Sequence, residues 1–270
     1  MARIIAIANN KGGCGKTTTA ANLAAALRET GRDVLAVDAD AQTNLTAYLG
    51  VTAPRPGGTT FDALKAPITP YIEPVRVLEP CDGAGVLDVL PGAPDLAAVE
   101  AGLVTEADRL TRFRDVLDKY RARYDFVIVD TPPAVGMLTV SALFAADAAI
   151  ITVQPEYLAV QGLLSLNGAI DRLNAGGARI GETRVLFTRF DKRKGLHRLT
   201  AEQVTAAGFP VFATRIRDNV ALGEAPAAGL DIFRYAPKSN GAADYAALCA
   251  EYLKAQPLKH TNHGYKPAKR

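Results

Sequence analysis

From Asn9 to Thr18 the chain reads Asn9-Asn10-Lys11-Gly12-Gly13-Cys14-Gly15-Lys16-Thr17-Thr18, residue types and a spacing that suit a polyphosphate. Glycines let backbone N–H groups turn toward an anion with no Cβ in the way. A helix that starts there adds about half a positive charge at its N-terminus. Lys16 is placed to reach β/γ-phosphates, and the Thr17 hydroxyl to ligate Mg²⁺. The strict Walker pattern has glycine where this chain has Asn10, and here a second lysine, Lys11, stands ahead of Gly12-Gly13. Three acids extend the set. Asp38 and Asp40 lie in Asp38-Ala39-Asp40-Ala41-Gln42-Thr43-Asn44, and Asp130 precedes Thr131-Pro132-Pro133. An acid beside a γ-phosphate orients water, because phosphoryl transfer depends on positioning and electrostatics. Asp130 ends a hydrophobic run, which suits holding Mg²⁺ through water.

These residues need a strand, a loop and a helix in register. Ile4–Ala8 predicts a buried strand, and the Ala/Leu-rich stretch Thr19–Leu27 a helix that Gly31 closes. Val34–Val37 predicts the second strand, delivering Asp38 and Asp40 to a strand end, where open α/β sheets meet their ligands. Thr52–Gly58 is Pro/Gly-rich loop. Further strands are expected at Val86–Leu90, Asp125–Asp130, Ala148–Val153 and Arg184–Phe187, with a short one around Val211. Helices are expected at Pro94–Leu103, Arg109–Tyr120, Met137–Ala145, Leu158–Leu173, Leu196–Ala207 and Gly241–Lys254, and a loop at Arg215–Arg234. This alternation argues an α/β fold: a mostly parallel, doubly wound sheet with helices on both faces, P-loop NTPase-like. Residues 1–256 are expected to form a single domain, and 257–270 a basic, disordered tail.

The chain has 270 residues, 49% hydrophobic and 22% charged, as in a soluble globular protein. A formal charge of +3 means that nucleic-acid contact needs local clustering of basic residues. Cys14, Cys81 and Cys249 are too few and scattered for a disulfide framework or a cysteine metal site, and Cys14 is read as structural. With a strand beginning at Ile4, no secretory leader is expected, and a reducing cytoplasm is the simplest compartment. Ala134–Val153 is apolar enough to pose as a membrane span, but it divides into a helix and a strand of buried core.

The string Lys11-Gly12-Gly13-Cys14-Gly15-Lys16-Thr17-Thr18 resembles the deviant Walker A loop of the ParA/MinD group of P-loop ATPases. The resemblance to the ParA/Soj family runs nearly end to end. It continues through Asp130-Thr131-Pro132-Pro133, Val153-Gln154-Pro155-Glu156-Tyr157, Gly162-Leu163, Asn219 to Pro226, and Pro237-Lys238-Ser239-Asn240-Gly241 with Tyr245. It implies an ATP hydrolase that uses ATP and Mg²⁺, slow and stimulated by DNA and a ParB-like partner. ATP would hold two copies face to face, with Lys11 contacting the partner's phosphates. Asp40 would serve hydrolysis and, with Thr17 and Asp130, the metal; Ala41 replaces the family's usual proline beside it. Gly12, Gly13, Cys14, Gly15, Lys16, Thr17 and Thr18 would cradle the nucleotide. Where the family has Pro-Arg-Asn this chain has Arg217-Asp218-Asn219, which leaves Asn219, with Arg217, beside the adenine.

Arg189, Lys192, Arg193, Lys194 and Arg198, with Arg215, Arg217 and Arg234 further on, are the candidate contacts to double-stranded DNA without sequence preference. The implied role is segregation or positioning of plasmid or chromosomal DNA, in the cytoplasm and associated with the nucleoid. The chain starts at the first strand, so no N-terminal helix-turn-helix domain is expected. Three alternatives stand beside this. One is a MinD-like membrane switch, but the stretch from Pro257 to Tyr265 lacks the apolar face of a membrane-targeting helix, so no membrane is expected. The second is a ParA-like positioner of a non-DNA cargo. The third is a metabolic or nitrogenase-iron-protein-like enzyme, which lacks its paired cysteines here.

Overall fold

Strands of four to six residues form here, and five of the seven are buried along all or nearly all of their length. The computed structural model describes residues 1–65 and 68–255. Its strands are β1 (Arg3–Ala8), β2 (Val34–Asp38), β3 (Val75–Leu78), β4 (Leu87–Leu90), β5 (Phe126–Asp130), β6 (Ala148–Val153) and β7 (Glu182–Phe187). They pair in one sheet in the order β3-β4-β2-β5-β1-β6-β7, parallel except that β3 runs antiparallel to β4 at the edge. Parallel strands covered on both faces read as unbroken hydrophobic sequence, as β5 and β6 do.

The helices are α1 (Lys16–Glu29), α2 (Asn44–Tyr48), α3 (Thr60–Leu64), α4 (Leu96–Leu103), α5 (Arg112–Asp118), α6 (Met137–Ala145), α7 (Ala159–Ala175), α8 (Gly195–Ala206), α9 (Val220–Glu224), α10 (Ile232–Tyr235) and α11 (Asn240–Ala255). A 3₁₀ turn spans Ala225–Ala228. Alternate residues of β1 feed two cores. Ile4, Ala6 and Ala8 face a layer carrying Leu96, Phe113, Leu138 and Leu163, from α4 to α7. Ile5 and Ile7 face Leu23, Leu45, Ile232 and Tyr245, from α1, α2, α10 and α11. The small residues of α1 let it lie close to the sheet, and ten consecutive positions from Thr19 to Arg28 are buried. Buried Asn22 ties this layer together: it donates to Tyr48 Oη at 2.9 Å and accepts from the Ile232 amide at 2.7 Å.

Strand order reverses at β1, which lies between β5 and β6. Open α/β sheets bind ligands at such a point, outside the C-terminal strand ends. Register does the positioning: Ile7 sits opposite Asp130, and Asp130 opposite Asp38.

The fold class is as expected, and Met137–Ala145 and Ala148–Val153 have the expected bounds. Thus the apolar stretch 134–153 splits into α6 and β6. Among the described residues no helix is long and apolar enough to cross a membrane. Three expectations need correction. Arg215–Arg234 is not simple loop, since it holds α9, the 3₁₀ turn and α10. Val211 makes only an isolated bridge to Val185. Strand β3 and the short helices α2 and α3 were not anticipated. The expected tail, 257–270, lies outside the described residues.

Candidate functional site

The loop from Asn9 to Gly15 leaves β1 and turns into α1. Gly13 and Gly15 take the left-handed conformation, with φ of 73° and 82°, which admits glycine at no cost. No side chain caps α1, so its first-turn amides are free for an anion. The loop is braced from two strands, and β1 leading into it from a third. Gln154 Nε2, after β6, donates to the Gly13 carbonyl at 2.7 Å. Thr188 Oγ1, after β7, donates to the Cys14 carbonyl at 2.9 Å. Thr131 Oγ1, after β5, donates to the Ile7 carbonyl at 2.8 Å. Cys14 is buried, its thiol donating to the Lys11 carbonyl at 3.1 Å, which suits a packing role.

The two lysines have different environments. Lys16 is 7% exposed, and its Nζ donates to the Lys11 carbonyl at 3.1 Å. Lys11 lies on the outer side, its side chain 56% exposed and paired with Glu156. Beside that pair runs a cleft of about 690 Å³ between the loop and the start of α7. Tyr157 and Leu158 are 85% and 61% exposed there.

Asp130 is fully buried beneath the loop, and neither carboxylate oxygen meets a donor at hydrogen-bond geometry among the described residues. Burial, and then the charge of Asp38, push its pKa well above the ordinary value; the Thr17 hydroxyl and Lys16 ammonium pull the other way. A buried carboxylate left without donors is costly unless a cation comes to it. With the Thr17 hydroxyl beside it, this donor set fits Mg²⁺, which keeps waters and takes one or two protein oxygens plus phosphates. Among the described residues no group of three or more His, Cys, Asp or Glu side chains could hold a metal unaided.

Asp38 is also buried, and burial raises it to about 6. Its Oδ1 accepts from the Asp40 amide at 3.1 Å, and its Oδ2 from Thr46 N at 2.8 Å and Thr46 Oγ1 at 2.6 Å. The Thr46 hydroxyl in turn accepts from Gly92 N at 2.8 Å. This frame fixes the turn that carries Asp40, itself only 7% exposed, with Oδ1 accepting from Gln42 N at 3.0 Å.

Across the loop a second cavity, about 260 Å³, runs from Gly13, Gly15 and Thr18 to Arg189, Arg217, Asp218 and Asn219. The structure thus brings Lys16, Thr17, Asp38, Asp40 and Asp130 together, with Asn219 and Arg217 one cavity away. The basic candidates divide. Lys192, Arg193, Lys194 and Arg198 share the turn into α8 and its first turn, all exposed. Arg193 is forked onto Asp191 at 3.0 and 2.9 Å, and Arg198 donates to the Lys192 carbonyl at 2.8 Å. Lys192 and Lys194 have no ion-pair partner among the described residues.

The other arginines are engaged elsewhere. Arg217 is held by Asp244 at 2.6 to 3.1 Å, and Arg234 by Asp231. Arg215 lies over the rings of Phe187 and Phe190, at 5.1 and 5.7 Å. Thr46, Gly92, Thr188 and the roles of Gln154 and Glu156 escaped sequence reasoning. Gln154 and Glu156 stood in the segment that carries the family resemblance, which gave them no role.

A family model described as an AAA domain matches residues 2–178. The chain is 39% identical over 263 residues to the chromosome partitioning protein ParA of Myxococcus xanthus, covering 95% of this chain and 90% of that protein. It is 38% identical over 258 residues to the sporulation initiation inhibitor protein Soj of Bacillus subtilis, covering 93% and 98%. Among solved structures it superposes, with a TM-score of 0.78 and 32% identity over 94% of this chain and 95% of the other, on cobyrinic acid a,c-diamide synthase from Mycobacterium smegmatis with bound ATP analog and magnesium.

Proposed function

The chain belongs to the ParA/Soj family of deviant-Walker P-loop ATPases, and on that premise we propose that it is an ATP-driven dimerising switch for DNA partition. As the ATP dimer it binds double-stranded DNA without sequence preference; hydrolysis, stimulated by a ParB-like partner, releases it. Such a cycle segregates or positions plasmid or chromosomal DNA on the nucleoid.

The observation that carries this reading is the division of labour between the lysines: Lys16 buried in its own loop, Lys11 exposed on the outer side with Glu156. A lysine there is suited to a neighbour's phosphates, as an arginine finger supplied in trans is. Exposed Tyr157 and Leu158 beside it offer apolar surface for a second copy to cover. In each site the loop amides and Lys16 bind the β/γ-phosphates, and Asp40, fixed by Asp38, orients the attacking water. Thr17 and Asp130 would hold Mg²⁺, which when bound neutralises charge on the phosphates. The relative with bound ATP analog and magnesium supports the nucleotide and the metal. Lys192 and Lys194, with Arg193 and Arg198, supply the DNA surface.

The test is a gel shift on random-sequence duplex without nucleotide, with ADP and with ATP. ATP alone should drive binding. Asp40→Ala should hold the complex and Lys16→Ala abolish it. ATP-dependent dimers that leave DNA unbound at low salt would reject the DNA role and turn the search to membranes or a protein cargo.

A further inference from the structure

The exposed lysine of the phosphate loop is fastened by its main chain on both sides. An asparagine can bond the amide two residues on with its side-chain oxygen and so close a tight turn. Asn9 does this: its Oδ1 accepts from Lys11 N at 3.1 Å. The other end of the same amide is used too, Nδ2 donating to the Thr152 carbonyl in β6. Asn9 is only 9% exposed, so both bonds are shielded from water. On the far side, the Lys11 carbonyl accepts from Cys14 Sγ and from Lys16 Nζ, each at 3.1 Å. Cys14 Sγ in turn lies 3.4 Å from Thr152 Oγ1. Thr152 is wholly buried, and its carbonyl and hydroxyl thus anchor the groups that hold Lys11 from either side.

The side chain of this clamped residue points away from its own loop. It is more than half exposed, and its pair with Glu156, equally exposed, holds it weakly. A long cation on a fixed backbone has only its side-chain torsions left to order. Ordering one residue's backbone in advance is worth about tenfold in a step that needs it in place. The stretch from Gly13 to Gly15, which lies against the loop's own phosphates, is braced separately: Gln154 holds the Gly13 carbonyl and Thr188 the Cys14 carbonyl. Asn9 therefore acts on the outward lysine and not on the inward cradle.

We propose that Asn9 is the positioning residue for Lys11: by tying the Lys11 amide to β6 it presents the lysine, already ordered, to phosphates bound by a second copy. The inference rests on the switch reading above, in which Lys11 acts in trans. The test mixes two full-length proteins in ATP and Mg²⁺ and follows steady-state phosphate release. One carries Lys11→Ala and the other Asp40→Ala, and each alone should turn over at a small fraction of the wild-type rate. Together they rebuild one complete site per mixed dimer, with Asp40 from the first and Lys11 from the second. Adding Asn9→Ala to the lysine-supplying protein should lower the regained turnover about tenfold. Adding it to the Lys11→Ala protein should leave the regained turnover within about twofold, and that protein should bind N-methylanthraniloyl-ATP as before. Asn9→Ser, whose hydroxyl can accept from the same amide, should recover part of the loss, and it takes the place of alanine if that variant fails to fold. An equal loss in both placements, or none in either, would overturn the positioning role and leave the switch standing. No turnover on mixing, with each protein still binding ATP, would overturn the lysine in trans and this inference with it.

Discussion

Replacing Asp130 with asparagine should stabilise the nucleotide-free protein while removing its response to Mg²⁺-ATP. The carboxyl is wholly buried and its oxygens meet no donor at hydrogen-bond geometry among the described residues, so the native state carries its desolvation. A buried, unsatisfied polar group costs about 1–3 kcal/mol, and an amide that can donate to neighbouring Asp38 relieves it. At about 2–4 °C per kcal/mol for a domain of this size, the melting temperature should rise by several degrees. Mg²⁺-ATP at a hundred times its Kd should stabilise wild type by about 2.7 kcal/mol and the variant by far less, so the order of melting temperatures reverses on adding nucleotide.

The pH dependence has a definite sign. Burial raises Asp38 from 3.8 to about 6 and Asp130 well above 3.8, so the folded state keeps protons that the unfolded chain has released. Wild-type stability therefore falls as pH rises from about 4 through both folded values. The variant should keep only the portion that ends near pH 6, from Asp38. Differential scanning fluorimetry from pH 4 to 8, with and without Mg²⁺-ATP, reads all of this. A variant that melts below wild type yet keeps the full nucleotide shift would refute the reasoning.

Lys11→Ala should leave the melting temperature nearly unchanged, because its half-exposed pair with Glu156 contributes at most about 1 kcal/mol. Steady-state phosphate release should fall by about 10³–10⁵-fold, the range for a charge supplied in trans, while ATP still binds. Lys194→Ala should lower the slope of log affinity for DNA against log salt by about 0.9 in an anisotropy titration, and Lys192→Ala likewise. Arg215→Ala should instead lower the melting temperature, losing about 1–2 kcal/mol of stacking on Phe187 and Phe190, and leave the salt slope unchanged.

Much of the architecture was legible because its signals are local. Strand β5 is an unbroken apolar run ending in Asp130, and α6 and β6 part at Ala146-Asp147, where a helical run gives way to a β-rich one. The loop announced itself through glycine spacing and Lys16-Thr17. Strand β3 did not, because four half-buried residues at an edge show neither alternation nor a long run. Helices α9 and α10 are too short for periodicity; side chains of Asn219 and Asp231 at their first amides hold them, together with tertiary contacts. The Asp38–Thr46–Gly92 frame and the loop's bonds to Gln154 and Thr188 join residues far apart in the chain, and only packing reveals them. Charge clustering grouped eight basic residues, but it could not tell Lys192 and Lys194 from Arg215, Arg217 and Arg234, which bond inward.

The most direct measurement is sedimentation velocity of the Asp40→Ala protein with a short labelled duplex of random sequence, in ADP and then in ATP. The account predicts free DNA and monomer in ADP, and in ATP a single DNA-bound species carrying two subunits that disappears when Lys11 is also replaced by alanine. DNA bound equally in both nucleotides, or bound by monomer in ATP, would contradict it.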